Sequence, residues 1–226
     1  MANLNFKNFI VLLILSQFIF LYSIIPVEAA VIKTYDGMIK LHPVGWSAGY
    51  ILFRGNRPVT FNERNEVISG TLEGFTALRP VGEAIFYGTS DGFVLFKGGS
   101  EVSFDEKGKV TVGTLANDTE FLLVDGKEGT VKYKSNTVVT FKDGGSLGTL
   151  VNNSDFRPVG YSINNAINDQ AGYISFKGNT YIRFNMKGEV IEGTLLNDTN
   201  LCSIDGSVKT YRAGASVHFN DKGEAY

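Results

Sequence analysis

FKGGSEVSFDEKGKVTVGTLANDTEFLLVDG, residues 96–126, is the unit from which the rest of the chain is built. Its aromatics Phe96 and Phe104 stand eight residues apart. The same spacing returns at Phe53/Phe61, Tyr133/Phe141, Phe176/Phe184 and Tyr211/Phe219, so a unit of about forty residues recurs along the chain. A tandem repeat of that period sets the architecture before any single residue is interpreted. Each unit is a small module that must bury its apolar face against its neighbours.

Within the unit, strand a ends in the first aromatic. A short turn rich in Gly and Asn follows (Gly55-Asn56, Gly98-Gly99, Ser135-Asn136, Gly178-Asn179, Ala213-Gly214), which suits a tight hairpin with positive φ. Strand b alternates. Val59/Phe61, Val102/Phe104, Val139/Phe141, Ile182/Phe184 and Val217/Phe219 point one way, and Thr60, Ser103, Thr140, Arg183 and His218 point the other. Next come the loops at 62–65, 105–108, 185–188 and 220–223, each opening with Asn or Asp and closing with Gly or Asn. They read as type I turns closed by a left-handed residue. Strand c carries Gly-Thr-Leu at 70–72, 113–115, 148–150 and 193–195. A second polar turn then leads into strand d, with Leu78, Phe121, Phe156 and Leu201.

The two ends are partial units. Residues 32–45, IKTYDGMIKLHPVG, fit strands c and d, with Thr34 on the Thr of Gly-Thr-Leu and Pro43-Val44-Gly45 on Pro80-Val81-Gly82. Residues 208–223, VKTYRAGASVHFNDKG, fit strands a and b. The halves sum to one further unit, and complementary halves are what a closed ring needs to remove its exposed edges. The expected fold is therefore all-β, with about five four-stranded antiparallel repeats. It resembles a five-bladed β-propeller closed by its terminal half-repeats, although no Trp-Asp dipeptide or other named-family signature is present. The alternative is an open sheet of hairpins, whose Gly- and aromatic-punctuated turns resemble MORN repeats, though those are about half as long and space their Tyr-x-Gly differently. The domain reading is a leader over 1–29 and one β-repeat domain over 30–226. That domain comprises a c–d half-repeat at 31–49, full repeats at 50–92, 93–129, 130–172 and 173–207, and an a–b half-repeat at 208–226. Under ring closure, loss of 208–226 would destabilise 31–50.

Residues 1–29 read as a secretory signal. Lys7 precedes an apolar run from Phe9 to Ile25, and Val27-Glu28-Ala29 supplies the small −3/−1 pair for cleavage. An uncleaved anchor is the alternative. The expected location is secreted or extracytoplasmic, with membrane contact only through this segment during export. Lys and Arg number 21 against 23 Asp and Glu, so no basic stripe is available for phosphates, which argues against nucleic acid. With 26 Gly, 17 Phe and 10 Tyr the composition suits short strands and tight turns. A single cysteine excludes an intrachain disulfide. Cys202 takes the repeat position of Leu122 and reads as a small buried hydrophobe, the alternative being a reactive or intermolecular thiol.

Chemistry is expected where the repeat is broken. The connections at Glu83–Gly92 and Tyr161–Gly172 are longer than the others and are not needed by the core. In a propeller they would gather on one face with Trp46 and Tyr50. The candidate ligand-binding residues are therefore Trp46, Tyr50, Phe86, Tyr87, Tyr161, Asn164, Asn165 and Asn168. Aromatic rings there would stack on a pyranose while amides bond its hydroxyls. The competing reading is that Trp46 and Tyr87 seal gaps between units. No catalytic set, metal-spaced His/Cys group or cofactor motif is found. His42 matches Arg79 and Arg157, and His218 matches Ser103 and Thr140. Asp118 and Asp198 could face one another as a glycosidase acid and base, but their repeat equivalence assigns them to turns. Sequons occur at Asn117, Asn152 and Asn197. The expected function is a secreted, non-catalytic module that binds carbohydrate or a cell-envelope component, without cofactor or metal. The alternatives are a structural or adhesive repeat protein that contacts other proteins and, less favoured, a secreted glycoside hydrolase.

Overall fold

A computed structural model describes residues 30–46, 49–81, 92–123, 129–142, 145–161 and 172–226. The chain divides into two compact units, Met1–Ala30 and Val31–Tyr226, and the architecture below is that of the second. In chain order its strands are β1 (Val31–Thr34), β2 (Ile39–Leu41), β3 (Ile51–Phe53), β4 (Pro58–Phe61), β5 (Val67–Thr71), β6 (Thr76–Leu78) and β7 (Val94–Phe96). There follow β8 (Glu101–Phe104), β9 (Val110–Thr114), β10 (Thr119–Leu122), β11 (Thr130–Tyr133), β12 (Val138–Lys142), β13 (Gly145–Thr149) and β14 (Ser154–Phe156). The last six are β15 (Ile174–Phe176), β16 (Tyr181–Phe184), β17 (Val190–Thr194), β18 (Thr199–Cys202), β19 (Val208–Tyr211) and β20 (Ser216–His218). Among the described residues no helix occurs, so the protein is all-β and repetitive.

The pairing of these strands is not that of a propeller. All b and c strands join one ten-stranded antiparallel sheet in the order β1-β4-β5-β8-β9-β12-β13-β16-β17-β20. Each c strand pairs with its own b strand and with the b strand of the next unit, as β5 does with β4 and β8. Each d strand leaves this sheet and pairs with the following a strand, giving five separate hairpins: β2-β3, β6-β7, β10-β11, β14-β15 and β18-β19. The units are therefore not four-stranded blades. Nor does the expected ring close, because β1 and β20 are the two edges of the sheet and do not pair with each other. Such an array is satisfied by neighbours alone, so complementary ends are not required. The free edge of β20 is met locally: Tyr226 N–H donates to His218 O at 3.0 Å and His218 N–H returns a bond to Tyr226 O at 3.2 Å.

Two further sets of backbone bonds tie the hairpins to the sheet. Strand a reaches the end of strand c of its own unit: Arg54 N–H donates to Thr71 O at 2.8 Å and Glu73 N–H to Leu52 O at 2.9 Å, and Lys97, Lys134 and Lys177 repeat the first bond. Beyond strand d the chain runs parallel to the start of the next c strand, where Val67 N–H donates to His42 O and Val44 N–H to Val67 O. The hairpins pack on one face of the sheet over one continuous core, in which Phe53, Phe96, Tyr133 and Phe176 have no exposed surface.

These rings explain the glycine of Gly-Thr-Leu. A Cβ built on Gly70 would meet the Phe53 ring at 2.7 Å; on Gly113 the Phe96 ring at 2.5 Å; on Gly148 the Tyr133 ring at 2.6 Å; on Gly193 the Phe176 ring at 2.6 Å. The aromatic of strand a lies on the bare backbone of strand c. The turn residues match the sequence reading, with Asn65, Gly108, Gly188 and Gly223 all at positive φ. Each of these turns is also held by its first side chain: Asn62 Oδ1 accepts from the N–H groups of Arg64 and Glu66, and Asp105, Asn185 and Asn220 do the same in their own turns.

The third unit departs from this pattern. Its b–c connection is two residues shorter than the others, and β12 pairs with β13 in continuous register: Thr140 with Leu147, Phe141 with Ser146, Lys142 with Gly145. The β4/β5, β8/β9 and β16/β17 pairs each carry a bulge at this point. Ser146 thus stands opposite Phe141 where Val67, Val110 and Val190 stand opposite their phenylalanines. The lost core volume is met from strand a. Tyr133 replaces phenylalanine, and its buried hydroxyl lies 2.8 Å from Ser146 Oγ. At the last unit Ala225 takes the valine place, and Tyr211 donates its hydroxyl proton to Ala225 O at 3.0 Å. Valine goes with phenylalanine, and the smaller residue goes with tyrosine.

Gly113→Ala should lower stability by about 1–3 kcal/mol, as overpacking against a buried ring does. Gly74→Ala, where a Cβ meets nothing within 4 Å, should change it little; urea denaturation of the two variants checks the contrast. Truncation after Gly206 should leave amide-exchange protection over 51–72 unchanged, because stability in an open array is passed only between neighbours. Loss of protection there would revive ring closure.

Candidate ligand-binding surface

Trp46 and Tyr161 occupy the same place in their units, directly after Pro-Val-Gly. Each lies on the b–c turn of a later unit. Trp46 donates its indole N–H to Gly108 O at 3.0 Å. Tyr161 meets the Phe219 ring edge-on at 6.0 Å, and a Cβ on Gly223 would come within 3.0 Å of its ring. Burial pushes the Tyr161 phenol up to about 12. Gly45 and Gly160, both at positive φ, bring the backbone against these same turns. These two aromatics seal gaps between units. Three repeats separate them, roughly 30 Å at two strand spacings per repeat, so the open sheet does not bring them together as a ring face would have done. Phe86, Tyr87, Asn164, Asn165 and Asn168 lie outside the described residues.

Tyr50 belongs to a different arrangement. It is 63% exposed and packs on His42, with ring centroids 4.2 Å apart. The pair sits one step beyond Leu41↔Ile51, at the connected end of the β2-β3 hairpin, where the chain passes from strand d to strand a. The equivalent place in β6-β7 holds Arg79 over the Phe93 ring at 4.8 Å, and in β14-β15 Arg157 over the Tyr173 ring at 5.1 Å. Three hairpins thus present an aromatic ring with a basic side chain on it, at positions one and two repeats apart. A guanidinium over a partly exposed ring contributes about 0.5–1 kcal/mol and orients that ring. Phe93, Tyr173, Arg79 and Arg157 are absent from the sequence expectation. The equivalence of His42 with the two arginines was the available signal, but strand d meets strand a across connections of unequal length, which hides the register of the partners.

The outer faces of the hairpins change character along the chain. In the last three, the outward cross-strand pairs are polar: Glu120 with Lys132, Asp155 accepting from the Ser175 hydroxyl at 2.5 Å, and Asn200 accepting from Thr210 at 2.7 Å. In the first two the corresponding pairs are Lys40/Leu52 and Ala77/Leu95. Beside them Met38 and Phe75, each 68% exposed, stand where the later units place Asp118, Asn153 and Asp198.

Those three acidic and amide groups are turn caps. Asp118 accepts from Ser135 N–H at 2.8 Å, Asn153 from Gly178 N–H at 2.7 Å and Asp198 from Ala213 N–H at 2.7 Å, each gripping the a–b turn of the following unit. This accounts for Asp118 and Asp198 without glycosidase chemistry. The backbone N–H of Ser135, then its side chain, hold the Asp118 carboxyl below its usual range. Asn117, Asn152 and Asn197 are exposed at the neighbouring turn positions, where the hydroxyls of Thr119, Ser154 and Thr199 donate to their carbonyls. His218 faces Glu192 at 3.7 Å and stacks on Tyr226. Cys202 is half-buried, as Leu122 is, rather than fully enclosed. No group of three or more His, Cys, Asp or Glu able to hold a metal occurs among the described residues.

Comparison with known proteins finds no matching family model, curated protein or solved structure.

The lowered Asp118 carboxyl contributes stability that is present above its unfolded pKa and lost as pH falls through the folded one. Asp118→Asn should therefore flatten the acid limb of the stability–pH curve while keeping an acceptor for Ser135, as Asn153 does for Gly178. Thermal melts of both proteins between pH 2 and 6 check this.

Proposed function

We propose that this chain is a secreted, non-catalytic repeat protein that binds glycans of the cell envelope or its surroundings along the connected ends of its d–a hairpins. The observation that carries this reading is the series His42–Tyr50, Arg79–Phe93 and Arg157–Tyr173. An aromatic face matches the apolar face of a pyranose, and the adjacent basic group donates to ring hydroxyls. A spacing of about 10 Å per repeat suits an extended chain of sugars touching several units, so that weak contacts sum. The apolar run at 9–25 with its small-residue cleavage site supports export.

A second reading is supported by a different observation. Met38, Leu52, Phe75 and Leu95 expose apolar surface where later units of the same protein are polar, and such a local departure favours docking of another protein.

Tyr50→Ala/Phe93→Ala/Tyr173→Ala should reduce glycan-array binding by about tenfold or more, since stacked aromatic contacts contribute of the order of 1 kcal/mol each. Met38→Asp/Phe75→Asp should leave it unchanged. A folded triple variant with the wild-type binding profile would refute the glycan reading.

A further inference from the structure

Beside the shortened β12-β13 connection lies a hollow of about 650 Å³ on the sheet face turned away from the core. It lies between the β12-β13 end and the 185–188 turn, and Thr140, Leu147 and Arg183 contribute to it from adjacent strands, paired in one cross-strand row. The backbones approach closely here, and a Cβ on Gly145 would run into the Phe184 carbonyl.

Three departures from the repeat converge here. The first is the two-residue shortening itself. The second is Lys142, which stands where the other units place the turn-capping Asn62, Asp105, Asn185 and Asn220; the unit has given up a cap and gained a cation. The third is Arg183, where the other b strands carry Thr60, Ser103, Thr140 and His218. Lys187, a basic position common to the turns, completes a set of three cations around the hollow. Arg183 is held from one side by Glu192 at 3.6 Å, while among the described residues Lys142 and Lys187 form no ion pair. Leu147, Ile191 and Met186 add apolar lining.

We propose that this hollow is an oxyanion subsite for an acidic sugar, whose ring rests on the apolar lining while Lys142, Lys187 and the outer edge of Arg183 hold its carboxylate or phosphate. It rests on the glycan reading above, but on the opposite layer and on different residues, so it extends the bound glycans from neutral to acidic ones. The hollow sits beside the one b–c connection that is two residues shorter than its equivalents.

Titration of the full chain with oligogalacturonate and, in a separate arm, mannose 6-phosphate tests the proposal and identifies which acid group is taken. Lys142→Gln/Lys187→Gln should weaken binding about tenfold and reduce its salt dependence. Lys97→Gln/Lys134→Gln, a pair on the strand a ends, should not. Equal losses in both pairs would mean general attraction of polyanions, and no binding of either probe would leave the hollow empty of function; both overturn the proposal. Tyr50→Ala/Phe93→Ala/Tyr173→Ala should keep acidic-probe binding at the hollow while losing neutral glycans. Persistence of neutral binding in that variant would instead strike the aromatic series alone.

Discussion

The contact between an aromatic ring and a bare glycine governs this structure. In four units the ring at the end of strand a lies over the glycine of Gly-Thr-Leu at a distance that admits no Cβ. The contact sets how deeply the hairpins sit on the ten-stranded sheet, and the a-to-c backbone bonds hold it there. The rings of Phe53, Phe96, Tyr133 and Phe176 are fully enclosed and that of Tyr211 is half-buried, and in each case ring size is matched to the residue facing it from the start of strand c. Tyrosine at 133 and 211 reaches further than phenylalanine and is found where Ser146 and Ala225 leave room. A core built on one repeated contact tolerates change only through such paired adjustments.

Repetition also provides an internal standard. A residue that recurs in every unit is explained by the fold, and one that departs from its equivalents asks for another reason. The caps at Asp118, Asn153 and Asp198 recur in three units, and Trp46 and Tyr161 are accounted for by the turns they touch, so these belong to construction. The series His42–Tyr50, Arg79–Phe93 and Arg157–Tyr173, the apolar patch at Met38 and Phe75, and the basic hollow beside Lys142 have no such account. They lie on different parts of the surface, and each is attached to a rigid strand or hairpin end rather than to the core.

The architecture has an energetic consequence as well. Neighbouring units are bonded through the c-to-b ladder, and four junctions add a parallel bridge beyond strand d, at Pro43, Pro80, Pro158 and Ser203. Cooperative strength is therefore local and passes along the array. The two sheet edges are the places where this support ends. There the chain uses short strands, with the Ala225–Tyr226 stub covering β20 and the charged Lys33 in β1, which bonds Asn65 at 2.9 Å.

The repeat period, the strand positions, the left-handed turn residues and the buried face of strand b were all legible in the sequence, because each follows from local alternation and turn chemistry within about ten residues. Thr34 on the threonine of Gly-Thr-Leu was legible too, since equivalent positions align without knowing what they pair with. What the local pattern left undetermined was the partner of each strand. Alternation states which face is buried, but an a–b–c–d unit reads alike whether its strands form one blade or divide between two layers. The choice rests on non-local bonds: c to the next b, d to the next a, and the ring of Phe96 on Gly113. The same gap hid most of the candidate surface. Tyr50 was visible as an exposed aromatic, but Phe93 and Tyr173 acquire meaning only beside Arg79 and Arg157, across connections of unequal length. The repeated chemistry was written in the sequence; openness of the array and the company each exposed side chain keeps were decided by tertiary pairing.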